Sequence, residues 1–158
     1  MKLGDYPEVV NENVTRIVAS TVVLLGAISI YYPNPYSLAL LLYGFFARVS
    51  YGPKFEPFAL FTSSYIVPKL GISFVPTAGP PKRFAQLIGL IFAITSIILF
   101  SLDQLVSYKV ALSILVVFAS LESFLSWCAG CFVFAILMKI GVIPKDICER
   151  CNQLTYNK

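Results

Sequence analysis

The stretch YKVALSILVVFASLESFLSWCAGCFVFAILMKI (residues 108–140) decides the fold class, because it is predominantly apolar over 33 residues. As one straight α-helix it would be about 50 Å long. The hydrocarbon core of a bilayer is only about 30 Å thick. The stretch therefore predicts a membrane-spanning helix over 108–128 with a helical extension to residue 140, which either tilts and projects or bends near Ala129 and Gly130.

The composition of the chain agrees with a membrane protein. Of its 158 residues, 58% are hydrophobic and 13% are charged, and the mean hydropathy is +0.79. An average soluble domain carries about 25% charged residues. The length is close to the roughly 150 residues of one domain, so residues 1–158 are predicted to form a single domain. The net charge of +4 comes without a basic run, which argues against a nucleic-acid partner.

Three earlier apolar runs predict three more spans. The run 14–32 ends in two tyrosines, which suit a membrane interface, and the turn residues Pro33-Asn34-Pro35 follow it. The other two runs, 36–51 and 84–102, end at residues that do not continue an apolar helix. The segment before the first run is acidic, unlike the basic start of a cleaved signal, so the first span is expected to be retained.

Two further segments complete the predicted architecture. Residues 54–82 contain five prolines, and their apolar stretch 58–67 is too short to cross, which predicts an interfacial helix and an ordered loop. Gly141 and Pro144 have the positions of a helix C′ cap and a first-turn residue, so a short C-terminal helix is predicted over 144–152. The sequence thus predicts an all-α integral membrane four-helix bundle, with the lipid bilayer as its first partner.

The basic residues are distributed unevenly between the two ends of such a bundle. Four spans place both termini and the segment before span three on one side, together with eleven of the twelve lysines and arginines, and leave Lys109 alone on the other. Because cytoplasmic loops are enriched in lysine and arginine, this predicts a multi-pass protein of the plasma membrane with both termini in the cytoplasm.

All four cysteines lie near the C-terminus in two Cys-x-x-Cys pairs, Cys128 with Cys131 and Cys148 with Cys151. This spacing matches a four-cysteine zinc site, and cytoplasmic cysteines in such patterns favour metal binding or catalysis over structural disulfides. The first hypothesis is therefore a structural thiolate–zinc or cross-linked site of all four cysteines, which supports assembly or docking. The two pairs meet only if the helix bends after Cys128.

A thiol redox site is the alternative hypothesis. Cys148 is flanked by Lys145 and Arg150 near a predicted helix N-terminus, which favours its thiolate. Cys148 would then attack and Cys151 would resolve, in disulfide exchange or sulfur transfer with a soluble cytoplasmic redox or sulfur-carrier protein. A third interpretation is a non-catalytic subunit of a membrane complex, in which the cysteines only pack.

The charged residues add two predictions. Arg48 and Glu122 fall inside predicted spans, about 18 and 21 Å from the outer ends. An isolated charge at this depth is costly, which predicts a buried Arg48–Glu122 ion pair. Arg16, Lys82 and Arg83, at the inner ends of spans one and three, are predicted to form a basic rim. The chain has no histidine, so no haem is expected and any metal would rest on thiolates or carboxylates.

The segments AGPPKRFAQLIG (78–89), FFAR (45–48) and LE (121–122), together with the two cysteine motifs, resemble one family. It is the small membrane family known as domain of unknown function 4395, found in bacteria and archaea, and the likeness covers nearly the whole chain. The resemblance implies an integral membrane protein with four cysteines and supplies no activity. The family pattern is expected to have an acidic residue a few positions before the first arginine, and this chain has Asn11-Glu12-Asn13 there. The resemblance therefore carries over no role for a carboxylate at these positions. The hallmarks that the resemblance would carry over are Arg16, Arg48, Pro81, Lys82, Arg83, Phe84, Glu122, Cys128, Cys131, Cys148 and Cys151.

Overall fold

The computed structural model describes residues 7–52 and 55–142, and most of them are helical. The all-α prediction is confirmed in its main part, and the structure adds a short two-stranded sheet that the sequence did not indicate. Along the chain the elements are β1 (Val9–Asn11), α1 (Glu12–Tyr31), α2 (Pro35–Tyr51), α3 (Pro57–Phe61), a π-helical turn (Thr62–Ile66), α4 (Val67–Lys69), β2 (Pro76–Ala78), α5 (Gly79–Ser101), α6 (Leu105–Leu125) and α7 (Ala129–Lys139).

The long helices pack side by side. α1 packs against α2 and α6, α2 also packs against α5, and α5 packs against α6. Among the described helices, α1, α5 and α6 are long and apolar enough to cross a membrane, and they correspond to the predicted spans 14–32, 84–102 and 108–128. The remaining predicted span, 36–51, is α2, whose 17 residues fall short of the about 20 that a bilayer core requires.

One end of these helices is closed by a buried hydrogen-bond network. Tyr108, at the start of α6, is fully buried and donates its hydroxyl to the carbonyl oxygen of Ser29 at 2.8 Å. Ser29 in turn donates its Oγ hydrogen to Ser37 Oγ at 2.6 Å. Because Ser29 lies in the last turn of α1 and Ser37 in the first turn of α2, this network ties three helices together. We call it the Tyr108 end.

Large apolar side chains cover the outward faces of the long helices. Leu24, Ile91, Ile98 and Val117 are each more than half exposed, although their helices are well packed on the inner side. Exposed apolar surface on this scale is typical of proteins whose surface is covered by lipid or by a partner.

The two strands hold the start of α1 against the segment before α5. They are antiparallel, with Val9 opposite Ala78 and Asn11 opposite Pro76. Asn11 is also the N-cap of α1, and its Oδ1 accepts the backbone N–H of Asn13 at 3.1 Å. Each strand has three residues, which is too short to show the alternating apolar pattern that predicts a strand.

The helix predicted between spans two and three is present. α3, the π-helical turn and α4 form one continuous helical segment over 57–69. The buried carboxylate of Glu56 caps it by accepting the backbone N–H of Ala59 at 2.6 Å. Ala59 packs against Val14 and Val18, so the segment lies along the first half of α1.

The apolar run 108–140 is not one straight helix, so of the two predicted alternatives the structure has the bend. α6 ends where Ser126 adopts a left-handed backbone conformation, with φ of 56°. Cys128 is extended, and α7 begins after it as a separate helix. The bend thus exists, slightly before the predicted position near Ala129 and Gly130.

α7 ends as the sequence predicts. Gly141 has a φ of 86°, and the next residue, Val142, donates its N–H to the carbonyl oxygen of Leu137 at 3.0 Å. The helix predicted over 144–152, which contains Cys148 and Cys151, lies outside the described residues.

Candidate functional site

Cys128 begins α7 as its N-cap residue. Its backbone is extended, with φ of −100° and ψ of 104°, and its Sγ accepts the backbone N–H of Cys131 at 3.3 Å. The start of a helix leaves N–H groups unpaired and carries a partial positive charge, so a sulfur at this position is stabilised as thiolate. Both cysteines are partly buried, and neither is in a disulfide.

The two thiols differ in acidity. The thiol of Cys131 hydrogen-bonds to Cys128 and lowers the pKa of Cys128, against the effects of burial and of the Glu122 charge. The positive charge of Lys82 lowers the pKa of Cys128 further. The pKa of Cys131 is raised, because its thiol donates this hydrogen bond and is itself buried. The arrangement therefore favours loss of the first proton from Cys128 rather than from Cys131.

The start of α7 is held against the first turns of α5. Gly130 lies so close to Ala85 that a Cβ on Gly130 would overlap the Cα and Cβ atoms of Ala85. The rings of Phe84 and Phe134 pack nearby, with their centroids 5.7 Å apart. The glycine of Cys-Ala-Gly-Cys thus permits the close approach that brings the thiols near Lys82, one turn earlier on α5.

The ion pair beside the thiols joins Lys82, predicted as part of the basic rim, to Glu122, which was predicted to pair with Arg48. Lys82 Nζ donates to Glu122 Oε1 at 2.6 Å, and the two side chains are 6% and 22% exposed. The physical reason is the start of α5. It begins at Gly79 instead of Phe84, which places Lys82 inside the helix and beside the end of α6.

Arg48 is buried in α2 with other neighbours. Its Nε donates to the carbonyl oxygen of Gly44 at 2.9 Å, and its guanidinium carbon lies 4.6 Å from the centre of the Phe45 ring. A Cβ at Gly44 would lie 3.5 Å from an Arg48 nitrogen and 3.6 Å from a Glu56 carboxylate oxygen, so these opposite charges are near each other. Such compensation lowers the cost of burying a charge.

The residues predicted to form a basic rim bind the ends of neighbouring helices. Arg16 Nε donates to the carbonyl oxygen of Ser123 near the end of α6 at 3.1 Å. Arg83 Nε donates to the carbonyl oxygen of Val49 near the end of α2 at 3.0 Å. Cations at helix C-termini satisfy carbonyl groups that the helix leaves unpaired. These arginines, with Lys82, therefore tie the helices together at the end opposite the Tyr108 end.

A cavity of about 240 Å³ lies among the helices, and Cys128 is one of the residues that line it. Residues from α1, α2, α3, α5, α6 and α7 line it. Most of them are apolar, and the polar lining includes Arg48, Gln86, Glu122 and Cys128. Sequence reasoning missed both the cavity and Gln86, because helical periodicity does not show which facing side chains leave a space. The signal that could have indicated Gln86 is an amide in an otherwise apolar part of a predicted span.

The predicted four-cysteine zinc site requires Cys148 and Cys151, which lie outside the described residues. Within 7–52 and 55–142, no group of three or more His, Cys, Asp or Glu side chains is placed to hold a metal ion. The zinc site therefore stays a prediction, of which the structure describes one cysteine pair.

Comparisons with curated proteins and with solved structures gave no match. The family described as Domain of unknown function (DUF4395) matches residues 10–139, from β1 to the end of α7. The match includes Arg16, Arg48, Lys82, Glu122 and the first cysteine pair, and it ends before Cys148. Since this range is most of the chain, the protein belongs to the Domain of unknown function (DUF4395) family.

Proposed function

We propose that the chain is a membrane thiol–disulfide oxidoreductase whose redox couple is Cys128 with Cys131. The observation that carries the proposal is the hydrogen bond from the Cys131 backbone N–H to Cys128 Sγ at the start of α7. This geometry stabilises a thiolate, which is the nucleophile of disulfide exchange. The proposal moves the attacking thiol of the redox hypothesis from Cys148 to Cys128.

The exchange balances between the cysteine couple and a substrate disulfide. The Cys128 thiolate attacks one substrate sulfur and forms a mixed disulfide, and the first substrate thiolate leaves and takes up a proton. Cys131 then loses its proton and attacks Cys128 Sγ, which forms the Cys128–Cys131 bond and releases the second substrate thiol. The substrate gains two electrons and two protons, and the couple loses them. The reverse sequence oxidises a substrate dithiol.

The proposal places α1, α2, α5 and α6 across the bilayer as a four-helix bundle. It is supported by the length and apolar character of α1, α5 and α6 and by the exposed apolar side chains on their outward faces. The shorter α2 would be accommodated by local thinning of the bilayer. The excess of basic residues at the end that holds the thiols favours the cytoplasm on that side. A soluble cytoplasmic redox protein is therefore the proposed partner.

The test uses the full-length variant Cys148→Ser/Cys151→Ser, which retains only the first pair, purified in detergent micelles. It is equilibrated in glutathione redox buffers, alkylated after acid quenching and analysed by mass spectrometry. We expect one two-electron transition between dithiol and disulfide, in which a tenfold change in their ratio takes about 30 mV. In the same background, Cys131→Ser should trap glutathione on Cys128.

The matched control is the full-length variant Cys128→Ser/Cys131→Ser, which retains only the second pair. If this variant exchanges with glutathione as fast as the first, the activity does not depend on the start of α7. If no disulfide forms between Cys128 and Cys131 at any buffer potential, the proposal is wrong.

Zinc in the unsubstituted protein separates this proposal from the four-cysteine site. The redox proposal expects well under one zinc ion per chain and thiols that react with oxidant. One equivalent of zinc, lost in both double variants, would instead support a structural zinc site that ties the two pairs together.

A further inference from the structure

The cavity beside Cys128 has the size and lining of a small ligand site. Its volume of about 240 Å³ is close to the lower end of ligand pockets, which is roughly 300 Å³. The aromatic side chains of Phe45, Phe92 and Phe118 line it together with aliphatic ones. Protein interiors are otherwise close-packed, so a space of this size among apolar side chains favours an apolar occupant. The dimensions suit one substituted six-membered ring with the start of an apolar chain.

One of the residues that line the cavity carries a polar atom without a partner. Gln86 lines the cavity, and its Oε1 is buried without a hydrogen-bond partner among the residues that the structure describes. Leaving a buried acceptor unpaired is costly, and rotation of the Gln86 amide towards the cavity would let a ligand hydroxyl group remove that cost. The same amide carries N–H donors, so it can also bind a carbonyl oxygen. Gln86 therefore fits a ligand group that alternates between carbonyl and hydroxyl.

The proposed nucleophile lies in the same wall. Cys128 lines the cavity, and so do Ala129 and Gly130 in the first turn of α7. A helix N-terminus stabilises negative charge, both on the thiolate and on an oxyanion that forms beside it. A ring in the cavity is thus placed next to a stabilised sulfur nucleophile.

We infer that the cavity binds a quinone and that this quinone accepts the electrons of the Cys128–Cys131 couple, an inference that rests on the proposed dithiol function. The Cys128 thiolate adds to a ring carbon, and Cys131, after losing its proton, attacks Cys128 Sγ. The sulfur–sulfur bond forms as the sulfur–carbon bond breaks. The ring leaves with two more electrons, and its two oxygens take up the two protons that the thiols lose. The products are the disulfide and the hydroquinone, and Gln86 binds one ring oxygen in both forms.

The experiment uses decylubiquinone, a short-chain benzoquinone, with the full-length variant that retains only Cys128 and Cys131. The reduced protein is mixed with the quinone in micelles without oxygen, and the loss of quinone absorbance is followed. We expect one equivalent of hydroquinone per chain, with formation of the Cys128–Cys131 disulfide.

A cavity-filling variant and a matched control locate the reaction. Ala119→Phe places a ring in the cavity from α6 and should slow quinone reduction by at least about tenfold. Val117→Phe adds a ring on the outward face of the same helix, where Val117 is 56% exposed, and should leave the rate unchanged. Both variants should exchange normally with glutathione, which shows that the couple is intact.

Gln86→Leu tests the polar contact with a different readout. It preserves the shape of the side chain and removes the amide, so decylubiquinone should bind roughly threefold to tenfold more weakly. Binding is measured by quenching of Trp127, the single tryptophan, which precedes Cys128 in the chain. Saturable quenching supports a site, whereas quenching that rises without saturation indicates partitioning into the micelle and contradicts it.

The outcomes separate this inference from the proposed function. If glutathione exchange is normal and quinone is not reduced, or if Ala119→Phe reduces quinone as fast as Val117→Phe, the cavity is not the quinone site and the dithiol function stands. If the couple reacts neither with oxidised glutathione nor with decylubiquinone, the proposed function is wrong, and so is the inference that rests on it. If Ala119→Phe does not fold, Gln86→Leu decides, and unchanged affinity for decylubiquinone overturns the inference.

Discussion

At the residue scale, the Lys82–Glu122 contact is an ion pair that is largely buried in the interior. Lys82 is 6% exposed, so Lys82→Met leaves a partly buried Glu122 carboxylate without its partner. Removing one member of a buried pair costs about 3–5 kcal/mol. We therefore expect Lys82→Met to lower the midpoint of thermal unfolding in detergent by roughly 10 °C.

The double variant Lys82→Met/Glu122→Leu is the control for this prediction. It removes both charges together, and replacing a whole buried pair by apolar residues is often neutral for stability. The double variant should regain most of the stability that Lys82→Met loses. Additive losses from the two substitutions would show that the residues are not coupled in the folded protein.

The acidity of Cys128 is a second property at this scale, and it makes a prediction about pH. Iodoacetamide alkylates the thiolate and not the thiol. The pKa of Cys128 is lowered, first by the hydrogen bond from the Cys131 thiol, so Cys128 should be alkylated at lower pH than an ordinary cysteine. The pKa of Cys131 is raised, so Cys131 should react slowly at neutral pH. Mass spectrometry of the alkylated peptides measures both rates in one sample.

Cys131→Ala tests whether the Cys131 thiol lowers the pKa of Cys128. The variant removes the donor S–H group and keeps the backbone N–H, so the Cys128 thiolate loses its largest stabilising contact and the pKa of Cys128 rises. Alkylation of Cys128 at neutral pH should then become slower. Faster alkylation in this variant would show that Cys131 does not stabilise the thiolate.

At the scale of elements, the break between α6 and α7 determines whether the thiol pair has a helix N-terminus at all. Ser126 has a φ of 56°, a conformation that costs a residue other than glycine about 1–2 kcal/mol. Ser126→Gly should therefore stabilise the protein by roughly 1 kcal/mol, and Ser126→Val should destabilise it by more than that because β-branched residues fit this conformation worst. Thermal unfolding of the two variants measures the difference.

Ser113→Val is the matched control for the β-branched substitution. Ser113 is exposed in the middle of α6, where a valine is tolerated, so its effect should stay within about 0.5 kcal/mol. If Ser126→Val is no more harmful than Ser113→Val, the left-handed residue does not determine the break.

The elements also show what the sequence can predict. Hydropathy located the long helices and Gly141 identified the end of α7, because both signals are local. The break at Ser126 carries no glycine or proline, so the sequence predicted the bend only as an alternative to a straight helix and placed it near Ala129 and Gly130. The Lys82–Glu122 pair was not predicted, because the prolines before Lys82 suggested a loop, whereas they occupy the first turn of α5, where proline is tolerated.

At the scale of the whole molecule, the two ends differ in chemistry. The Tyr108 end is closed by neutral hydroxyl groups, whereas the opposite end contains the thiols, the Lys82–Glu122 pair and the arginines that bind helix ends. The charge count of the sequence predicted this asymmetry between ends. It could not predict the cavity, which arises from the way six helices meet and from no single segment.

This asymmetry makes a testable prediction about orientation in the membrane. In a cysteine-free background, single cysteines are introduced by Tyr32→Cys and Gln104→Cys at the Tyr108 end and by Lys69→Cys in the segment before α5. Because the basic end is expected to face the cytoplasm, a membrane-impermeant maleimide added to intact cells should label the first two variants. It should label Lys69→Cys only after the cells are permeabilised.

The pattern of labelling distinguishes three arrangements, since each end of the bundle is reported independently. Label on Lys69→Cys alone in intact cells would mean that the orientation is reversed, and the thiols would then face an oxidising compartment in which a disulfide persists. Label on Tyr32→Cys without label on Gln104→Cys would mean that the two loops lie on opposite sides of the membrane. The chain would then cross the membrane an odd number of times between them, and α2 and α5 could not both be spans. Only the expected pattern is compatible with four crossings, with α2 as a true span, and with a dithiol that meets its soluble partner in the cytoplasm.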